Sequence, residues 1–490
     1  MTAAIVGIGI TSSCGETFKD IEQSVGQGKS GISKIDYFDT SDLTCGIAGN
    51  VSKKVWEDVL QIAEMNELDW SSSLSIYTIQ RLLKSYSVSR KQKIGLSLGT
   101  CNGGIHSLAE YFDTSDEKFL KNYPPYVQSK DIANYFDFQG PKYCFNSACA
   151  ASANAIAYGA EMVNNGDADI VVTGGCDPMS EWVFAGFNSL RTFNKKNCMP
   201  YGKEFGLNLG EAATYFLIED KERAIEQGHK IYAEILGHGL SNDAYHPTAP
   251  DKNGSGIAYA IKMALRNSNL ETKDILYINS HGTGTKANDS AEYNGFKAVF
   301  GDNMPFVSSM KGYVGHNLGA AASTELAISL IGMNSQKVLY PNFNLTDYRD
   351  DCNDDHLLKK PYSFAHSNMY VAVASSINKI GVDIEFINKK KKARAKILTE
   401  SERQLVSRYG FTRIWTLKEA IAKYHRTGLP QINAVDIKQI NSSDVIYMIN
   451  KTSGKLQYRF LDVIPSYRLC VVTKEISSFA IYNTGRKFKE

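Results

Sequence analysis

A change of pattern near residue 346 constrains the fold of this chain more than any other feature of its sequence. Up to about residue 345, short apolar runs alternate with amphipathic helical stretches, which is the pattern of a sheet covered by helices in an α/β fold. The following segment, 347–360, is polar and acidic and ends in two lysines, which indicates a boundary or a surface linker. Because 490 residues are too many for one ordinary domain, we predict an α/β domain over residues 1–360 and a smaller α+β domain over residues 361–490.

Apolar runs bounded by Gly- or Ser-rich turns predict buried strands, and longer amphipathic stretches predict helices. The N-terminus is apolar but is soon interrupted by polar residues and glycine, so we expect a first strand there and not a signal peptide. In the first domain the other predicted strands are 94–99, 169–174, 275–279 and 305–309, and the predicted helices are 150–165 and 320–333. In the second domain the predicted strands are 370–375, 379–386, 444–449 and 468–472, and the predicted helix is 412–424.

The composition is that of a soluble globular protein, with 43% apolar and 22% charged residues. A net charge of +2 gives no reason to expect a nucleic-acid or membrane partner. The nine cysteines are odd in number and contain no CxxC pair, which argues for reduced thiols in the cytoplasm and against a disulfide framework or a zinc site.

One cysteine and two histidines stand in Gly-, Ala- and Ser-rich segments. Cys149 immediately precedes the predicted helix 150–165, where the helix dipole and free backbone N–H groups lower a thiol pKa. His281 lies in the segment Ser-His-Gly-Thr-Gly-Thr, and His316 lies in Gly-His-Asn-Leu-Gly. Each residue alone is also compatible with a buried structural role. Together they predict a catalytic set built on a cysteine nucleophile.

These segments resemble the elongating-type β-ketoacyl-ACP synthases, the condensing enzymes of fatty-acid and polyketide synthesis, over residues 3–345. Lys311 lies five residues before His316 and Glu325 nine residues after it, as in that family. The resemblance implies a thiolase-like fold with duplicated halves in five αβαβα layers. It also implies an acyl group carried on Cys149, and hydrogen bonds from His281 and His316 to the oxygen of a malonyl thioester.

The resemblance further implies the partners, which are an acyl carrier protein bearing acyl and malonyl thioesters and a second condensing subunit in a homodimer or heterodimer. Lys311 and Glu325 would orient the catalytic set, and the alternative for them is a buried ion pair without a catalytic part. Phe205 is a candidate for the wall of the acyl pocket, with core packing as the alternative. The Gly-Phe-Gly-Gly loop that closes the family's domain has its nearest counterpart in residues 362–368, which contain no glycine.

A second set of candidate site residues lies in the C-terminal domain. Asp383 and Glu385 are two residues apart on a predicted strand and so share one face. Glu419 and Lys423 are four apart on the predicted helix and share one side of it. Three carboxylates suit a magnesium ion whose other ligands are phosphate oxygens and water, while a solvated strand end and a helix-surface ion pair are the alternatives.

These motifs resemble the phosphopantetheinyl transferases of the surfactin-synthetase type over residues 361–475. The resemblance implies Mg²⁺ on Asp383, Glu385 and Glu419, coenzyme A as the phosphopantetheine donor, and a phosphate contact from Lys423. His366 and Ser367 would bind the nucleotide end of coenzyme A. Monomeric members of that family have two similar halves, and only the second half is visible here. Residues 361–377 match both resemblances, so their domain is ambiguous.

Several basic residues of the second domain have two interpretations. The run 389–396 is either a solvated face or a contact for an acidic carrier protein or for the 3′-phosphate of coenzyme A. His425 and Arg426 are weaker candidates for the same contacts.

The sequence thus predicts a bifunctional enzyme that condenses thioesters at Cys149 and activates carrier proteins at the C-terminal magnesium site. One alternative is a condensing enzyme whose degenerate transferase half serves as a docking module for the carrier protein. Another is a non-catalytic chain-length partner subunit, although the presence of Cys149 argues against it.

Overall fold

The structure is a computed structural model, and it describes most of the chain in two compact units. The described residues are 1–86, 92–246, 248–336, 338–343, 345, 347–352, 354, 356–358, 362–367, 370–375, 380–386, 398–425, 435–441, 444–449, 452–461, 467–473 and 478–483. Unit 1 comprises residues 1–330 and 342–357, and unit 2 comprises residues 331–341 and 358–490. The predicted boundary at residues 360 and 361 stays a prediction.

The first half of unit 1 is built on a mixed sheet. In the described part of the chain its strand order is β5-β4-β6-β7-β1-β8. β4 is parallel to both β5 and β6, whereas β7 is antiparallel to β6 and to β1. These strands are β1 (Ala3–Ser12), β4 (Ile94–Gly99), β5 (Lys142–Phe145), β6 (Ile170–Asp177), β7 (Ala212–Asp220) and β8 (Ala233–Glu234). A separate antiparallel pair is formed by β2 (Ile32–Lys34) and β3 (Ile47–Gly49).

Helices cover both faces of this sheet. Successive strand residues point to opposite faces. In β7, Tyr215 donates a hydrogen bond to Ser75 of the helix 70–84, while the neighbouring Thr214 pairs with Thr324 of the helix 321–331. The strand is therefore buried on both sides, which explains its continuous apolar sequence.

The helices of unit 1 begin with capping residues at several places, including a capping box of Thr17 and Asp20. Their bounds are α1 (Phe18–Ser24), α2 (Lys53–Asn66), α3 (Trp70–Lys84), α4 (Ile105–Thr114), α5 (Pro125–Phe136), α6 (Ala151–Asn164), α7 (Glu181–Ser189), α8 (Lys221–Glu226), α9 (Ser255–Ser268), α10 (Lys286–Phe300), α11 (Lys311–Val314) and α12 (Ala321–Ile331).

The second half of unit 1 contains a parallel pair of strands, β9 (Tyr277–Asn279) and β10 (Phe306–Ser308), in the residues that the structure describes. Apolar side chains of α10, among them Phe296 and Phe300, form a core with Val307 of β10. The chain leaves β9 directly into the segment of His281 and leaves β10 toward α11 and His316, so this half positions both histidines.

Where the structure describes it, unit 2 is built from antiparallel strands and the two helices α13 and α14. One sheet has the order β11-β12-β13-β19 and the other β14-β18-β17-β16-β15. Their strands are β11 (Val338–Leu339), β12 (Tyr362–Ser367), β13 (Tyr370–Ser375), β14 (Ile380–Phe386), β15 (Val435–Ile440), β16 (Asp444–Ile449), β17 (Thr452–Leu461), β18 (Tyr467–Thr473) and β19 (Ser478–Asn483). The helices are α13 (Glu400–Tyr409), which begins with a capping box of Thr399 and Glu402, and α14 (Phe411–His425).

The strands and helices predicted from the sequence are present within a few residues of the predicted bounds, and the α/β class of the first domain and the α+β class of the second are confirmed. α12 is almost wholly buried, as its apolar sequence predicts. All nine cysteines lie in described segments and are free thiols. In the part of the chain that the structure describes, none of the helices combines the length and the apolar character needed to cross a membrane.

Candidate active sites

Cys149 lies in a sharp turn between the end of β5 and the start of α6. The preceding Ala148 has a φ of 50°, a left-handed backbone that turns the chain abruptly before the helix. The end of β4 comes so close to this helix that a Cβ on Gly99 would lie 2.2 Å from a backbone atom of Ala151. The small residues around the cysteine therefore permit the close packing that places the thiol at the helix N-terminus.

The structure brings the three predicted catalytic residues together. The Sγ of Cys149 and one ring nitrogen each of His281 and His316 lie within 4.8 Å of one another. The two imidazole rings are nearly perpendicular, with their centroids 5.2 Å apart.

Lys311 and Glu325 also lie at this site, as predicted. The buried Lys311 Nζ lies 2.5 Å from Glu325 Oε1, 2.6 Å from the carbonyl oxygen of His281 and 3.3 Å from His281 Nδ1. These three contacts use the three protons of the ammonium group. Glu325 Oε2 accepts a further hydrogen bond of 2.8 Å from Asn279 Nδ2. The ion pair is therefore joined directly to the ring and backbone of His281.

Both histidines are neutral donors in this arrangement. The backbone N–H of Leu318 donates to Nδ1 of His316 over 3.0 Å, and the Lys311 ammonium faces Nδ1 of His281. Burial lowers the pKa of both imidazoles well below the ordinary value, and the positive charge of Lys311 lowers it further. With Nδ1 accepting, each ring carries its proton on Nε2. A metal ion would need a lone pair at that nitrogen, so the set is organised to donate hydrogen bonds and not to bind a metal.

The pKa of Cys149 is shifted upward, whereas its position before a helix suggested a downward shift. Burial raises the pKa of this thiol above its ordinary value of 9.0. Lys311 and the backbone N–H of Cys149 itself act in the expected lowering direction, but they are outweighed. The resting site therefore holds a protonated thiol at neutral pH.

Two buried carboxylates of α10, which no motif of the sequence indicated, support the turn of His281. Glu292 accepts hydrogen bonds from the backbone N–H groups of His281 (2.6 Å) and Gly282 (2.8 Å). Burial raises the pKa of Glu292 to about 7. Asp289 accepts from the backbone N–H of Gly284 over 3.1 Å, and burial raises its pKa as well. In the sequence, these two residues could have been recognised as acidic residues three positions apart on the helix that follows the histidine motif.

Cys149 lines a cavity of about 1370 Å³ within unit 1. Its walls include apolar residues of α9 and α10, among them Ile257, Ile261 and Phe296. Phe205 is not among the residues that line this cavity, and its exposure excludes the alternative of core packing. Phe205 is 51% exposed, and the cationic groups of Lys286 and Arg349 lie 5.9 Å and 5.3 Å from the centroid of its ring.

The segment proposed as the altered closing loop is a strand in the structure. Residues 362–367 form β12, which pairs with β13 along its whole length and belongs to unit 2. The remaining residue of that segment, Asn368, lies outside the described residues. The expectation of a loop at this place is therefore wrong for the described part of the segment.

In unit 2, α14 packs against β14, so the elements that carry the three predicted metal ligands are neighbours. Glu419 and Lys423 are both buried on α14, which excludes the alternative of an exposed helix-surface ion pair. Asp383 and Glu385 occupy alternate positions of β14, opposite Cys470 and Arg468 of β18. For these two residues, and for His366 and Ser367 of β12, only the strand backbone is described, and their side-chain roles stay predictions.

A buried ion pair in unit 2 was not found from the sequence. Lys418 Nζ lies 2.8 Å from both carboxylate oxygens of Glu402 and 2.5 Å from the carbonyl oxygen of Val435. Glu402 also accepts from the backbone N–H of Ile437 over 3.0 Å. The pair joins α13, α14 and β15 and so fixes the helix on which Glu419 stands.

The remaining basic candidates are only partly described. The nitrogen Nε2 of His425 lies 2.5 Å from the hydroxyl of Tyr447, and a role of this side chain in binding a ligand stays a prediction. Residues 389–396 and Arg426 lie outside the described residues.

Comparison with known proteins identifies three matching families. Residues 2–224 match the β-ketoacyl synthase N-terminal domain, and residues 232–346 match the β-ketoacyl synthase C-terminal domain. Residues 379–472 match the 4'-phosphopantetheinyl transferase superfamily. These matches confirm both resemblances inferred from the motifs.

Among individual proteins, the 3-oxoacyl-[acyl-carrier-protein] synthase 2 of Vibrio cholerae is 30% identical over 389 residues, covering 74% of this chain and 94% of that protein. The ishigamide ketosynthase/chain length factor superposes with a TM-score of 0.69 at 24% identity, covering 78% of this chain and 95% of that chain. A chain from the structure of a type II polyketide synthase acyl-carrier protein in complex with its ketosynthase, bound to the hexaketide, superposes with a TM-score of 0.67 at 20% identity. It covers 78% of this chain and 95% of that chain. These structures confirm the thiolase-like fold predicted for the first domain.

Proposed function

The chain belongs to the β-ketoacyl synthase family, and from this premise we propose that it catalyses a decarboxylative Claisen condensation of acyl and malonyl carrier-protein thioesters. The observation that carries the proposal is the pair of neutral Nε2–H donors of His281 and His316 beside the Cys149 thiol. A thiol alone would suit many reactions. A thiol next to two uncharged donors suits one in which an acyl group is held while negative charge develops on a second thioester oxygen.

The first half-reaction transfers the acyl group to the enzyme. The sulfur of Cys149 attacks the acyl carbonyl carbon, the carbon–sulfur bond to the carrier breaks, and the carrier thiol leaves with the proton that Cys149 gave up. The backbone N–H of Cys149, which interacts with its own sulfur, would donate to the developing oxyanion. The acyl chain would occupy the cavity that Cys149 lines.

The second half-reaction forms the carbon–carbon bond. The malonyl thioester loses its carboxylate as carbon dioxide, and the electron pair of the broken bond becomes an enolate. His281 and His316 donate hydrogen bonds to the enolate oxygen, and neutral rings do so without giving up their protons. The enolate carbon attacks the acyl carbon, and the carbon–sulfur bond breaks, so that Cys149 is restored as a thiolate that takes up a proton from water.

The condensing activity can be tested by mass. An acyl-carrier protein is added to the wild-type chain and to Cys149→Ala, and the intact masses are measured before and after addition of malonyl-carrier protein. We expect an acyl adduct on the wild type alone, followed by its loss and by an elongated chain on the carrier. A wild type that never acquires an adduct would refute the condensing activity and would favour the chain-length partner role.

We also propose that unit 2 transfers phosphopantetheine from coenzyme A to the serine of an acyl carrier protein. Asp383, Glu385 and Glu419 would hold Mg²⁺, which fits the oxygen ligands that this ion prefers, and α14 and β14 bring these three residues onto neighbouring elements. The bound ion would neutralise charge on the pyrophosphate of coenzyme A. Lys423 is buried on the same helix as Glu419, a suitable place for a cation that contacts phosphate.

The transferase proposal is tested by weighing an apo carrier protein after incubation with coenzyme A and Mg²⁺. We expect the carrier to gain one phosphopantetheine with the wild-type chain and with Cys149→Ala, but not with Glu419→Gln. A carrier that stays unmodified in every reaction would leave unit 2 with the docking role that the sequence also allowed.

We propose finally that unit 1 forms a dimer through the edge strand β5. In the described part of the chain β5 ends one side of its sheet, and Tyr143 of β5 and Tyr158 of α6 are 39% and 38% exposed. A sheet edge with exposed aromatic residues is a pairing surface for another chain. Light scattering should give twice the mass of the chain, and Tyr143→Lys should reduce it to that of a monomer. A monomeric wild type would favour a heterodimer with a separate subunit.

A further inference from the structure

Asp177 is a fully buried carboxylate at the end of β6, and it joins two loops that are distant in sequence. On the side of β4, it accepts hydrogen bonds from the hydroxyl of Thr100 (2.7 Å) and from the backbone N–H groups of Cys101 (2.8 Å) and Asn102 (3.1 Å). On the other side it accepts from the backbone N–H of Gly319 over 2.7 Å. One carboxylate therefore fixes the loop after β4 to the segment that follows His316.

The segment held by Asp177 is the one that fixes the proton of His316. Leu318 has a φ of 50°, a backbone conformation that is unfavourable for a residue with a side chain and needs support from its surroundings. In this conformation the N–H of Leu318 reaches Nδ1 of His316, and the next N–H, that of Gly319, reaches Asp177. A Cβ on Gly319 would lie 2.6 Å from Asp177 Oδ2, so a side chain at position 319 would collide with the carboxylate.

We propose that Asp177 is a positioning residue for His316: it holds the Leu318–Gly319 turn whose N–H keeps the histidine proton on Nε2, facing Cys149. It acts through the backbone and touches neither substrate nor the reacting atoms. The inference rests on the proposed condensation, because the orientation of that proton matters only if His316 donates a hydrogen bond during the reaction.

The charge of Asp177 is part of this role. Burial raises its pKa to about 6, although the four donors act to lower it. At neutral pH the carboxylate is ionised and accepts all four bonds. Protonation would place an O–H against these donors and weaken the turn. The charge of Asp177 contributes to the raised pKa values of five nearby groups, which therefore stay neutral near pH 6: Cys101, Cys144, Cys149, Cys176 and Tyr215.

The proposal is tested by a double-mutant cycle on malonyl-carrier decarboxylation, measured as carbon dioxide release by the full chain. Asp177→Asn should lower the rate by about 10–100-fold in the wild-type background. In the His316→Ala background it should have little further effect, because the residue through which it acts is gone. Equal effects of Asp177→Asn in both backgrounds would overturn the proposal.

Glu211→Gln is the matched control. Glu211 is also a buried carboxylate, and it accepts hydrogen bonds from the backbone N–H groups of Val51 and Met179. In the described structure its side chain has no hydrogen bond with Cys149, His281 or His316. We expect this variant to keep the wild-type rate. Should Asp177→Asn not fold, Thr100→Val removes one donor to the same carboxylate and should show a smaller loss with the same dependence on His316.

A second readout does not depend on activity. In ¹⁵N-histidine-labelled protein, with His316→Ala used for assignment, Nδ1 of His316 should give the signal of an unprotonated nitrogen. Asp177→Asn should shift this signal toward a mixture of tautomers, and an unchanged signal would overturn the proposal. A wild type without decarboxylase activity would refute the proposed condensation, while the nitrogen signal would still decide the role of Asp177.

Discussion

Replacing Lys311 with methionine should separate the structural and catalytic parts of the condensing site. Methionine keeps a long, unbranched side chain but lacks the ammonium group. The change removes the contacts of Nζ with Glu325, with the carbonyl of His281 and with Nδ1 of its ring. Both Lys311 and Glu325 are buried, with side-chain exposures of 0% and 3%, so Lys311→Met leaves an uncompensated carboxylate away from water.

The expected loss of stability follows from that unpaired charge. Breaking a buried ion pair by removing one partner costs about 3–5 kcal/mol. A unit of this size, about 350 residues, has an unfolding entropy of about 0.7 kcal/mol/K, so the melting temperature should fall by about 4–7 °C. The double variant Lys311→Met/Glu325→Gln removes both charges and should recover most of this loss.

Activity should not recover with stability. Without the ammonium group, Nδ1 of His281 is no longer fixed as an acceptor and the ring can place its proton on the wrong nitrogen. Loss of one aligned donor to an oxyanion typically costs about 10²–10³ in rate. Malonyl decarboxylation and differential scanning calorimetry, measured on the single and double variants, give the comparison. The reasoning is refuted if Lys311→Met keeps its rate within about threefold of the wild type, or if the double variant melts no higher than the single one.

Further outcomes follow from the two sites. Glu419→Gln should abolish phosphopantetheine transfer, read as carrier mass, and leave condensation unchanged, and a loss of both would contradict independent sites. Because the pKa of Cys149 is raised, its alkylation by iodoacetamide, followed by peptide mass, should rise about tenfold per pH unit between pH 7 and 9; a flat profile would contradict a protonated thiol. Glu292 has a folded pKa of about 7, above the unfolded value of 4.5, so its contribution to stability is present below pH 4.5 and is lost as the pH rises through 7. Decarboxylation should instead fall as Glu292 is protonated below pH 7, and Glu292→Gln should remove this step from the pH profile.

The sequence predicted the parts of the condensing site that are carried by local motifs. Cys149, His281 and His316 each stand in a segment of small residues, and the structure brings them together. Lys311 and Glu325 could be placed from their distances along the chain to His316. In each case the position of the side chain in the site could be predicted from one short segment, because the turn that presents the side chain is built from that same segment.

The residues that the sequence did not yield act on backbone groups far away in the chain. Asp177 accepts from Gly319 and Glu292 from His281, and a backbone N–H leaves no trace in the sequence. The upward shift of the Cys149 pKa also could not be predicted. The helix terminus, which lowers the pKa, is a local feature, whereas the burial that raises it depends on the whole fold. Phe205 illustrates the same limit, since an aromatic residue beside a glycine motif suggests a pocket wall but is exposed here.

The pKa shifts of these groups place the pH sensitivity of the condensing site in its supporting turns and not in its imidazole rings. Burial and the adjacent Lys311 keep both histidines neutral far below neutral pH, so their ability to donate is constant over the physiological range. The carboxylates that hold their turns, Glu292 and Asp177, titrate near 7 and 6. Acid would therefore first disturb the geometry of the donors while leaving their charge unchanged. The rings keep their protons under acid conditions, and the buried carboxylates determine whether those protons point at the substrate.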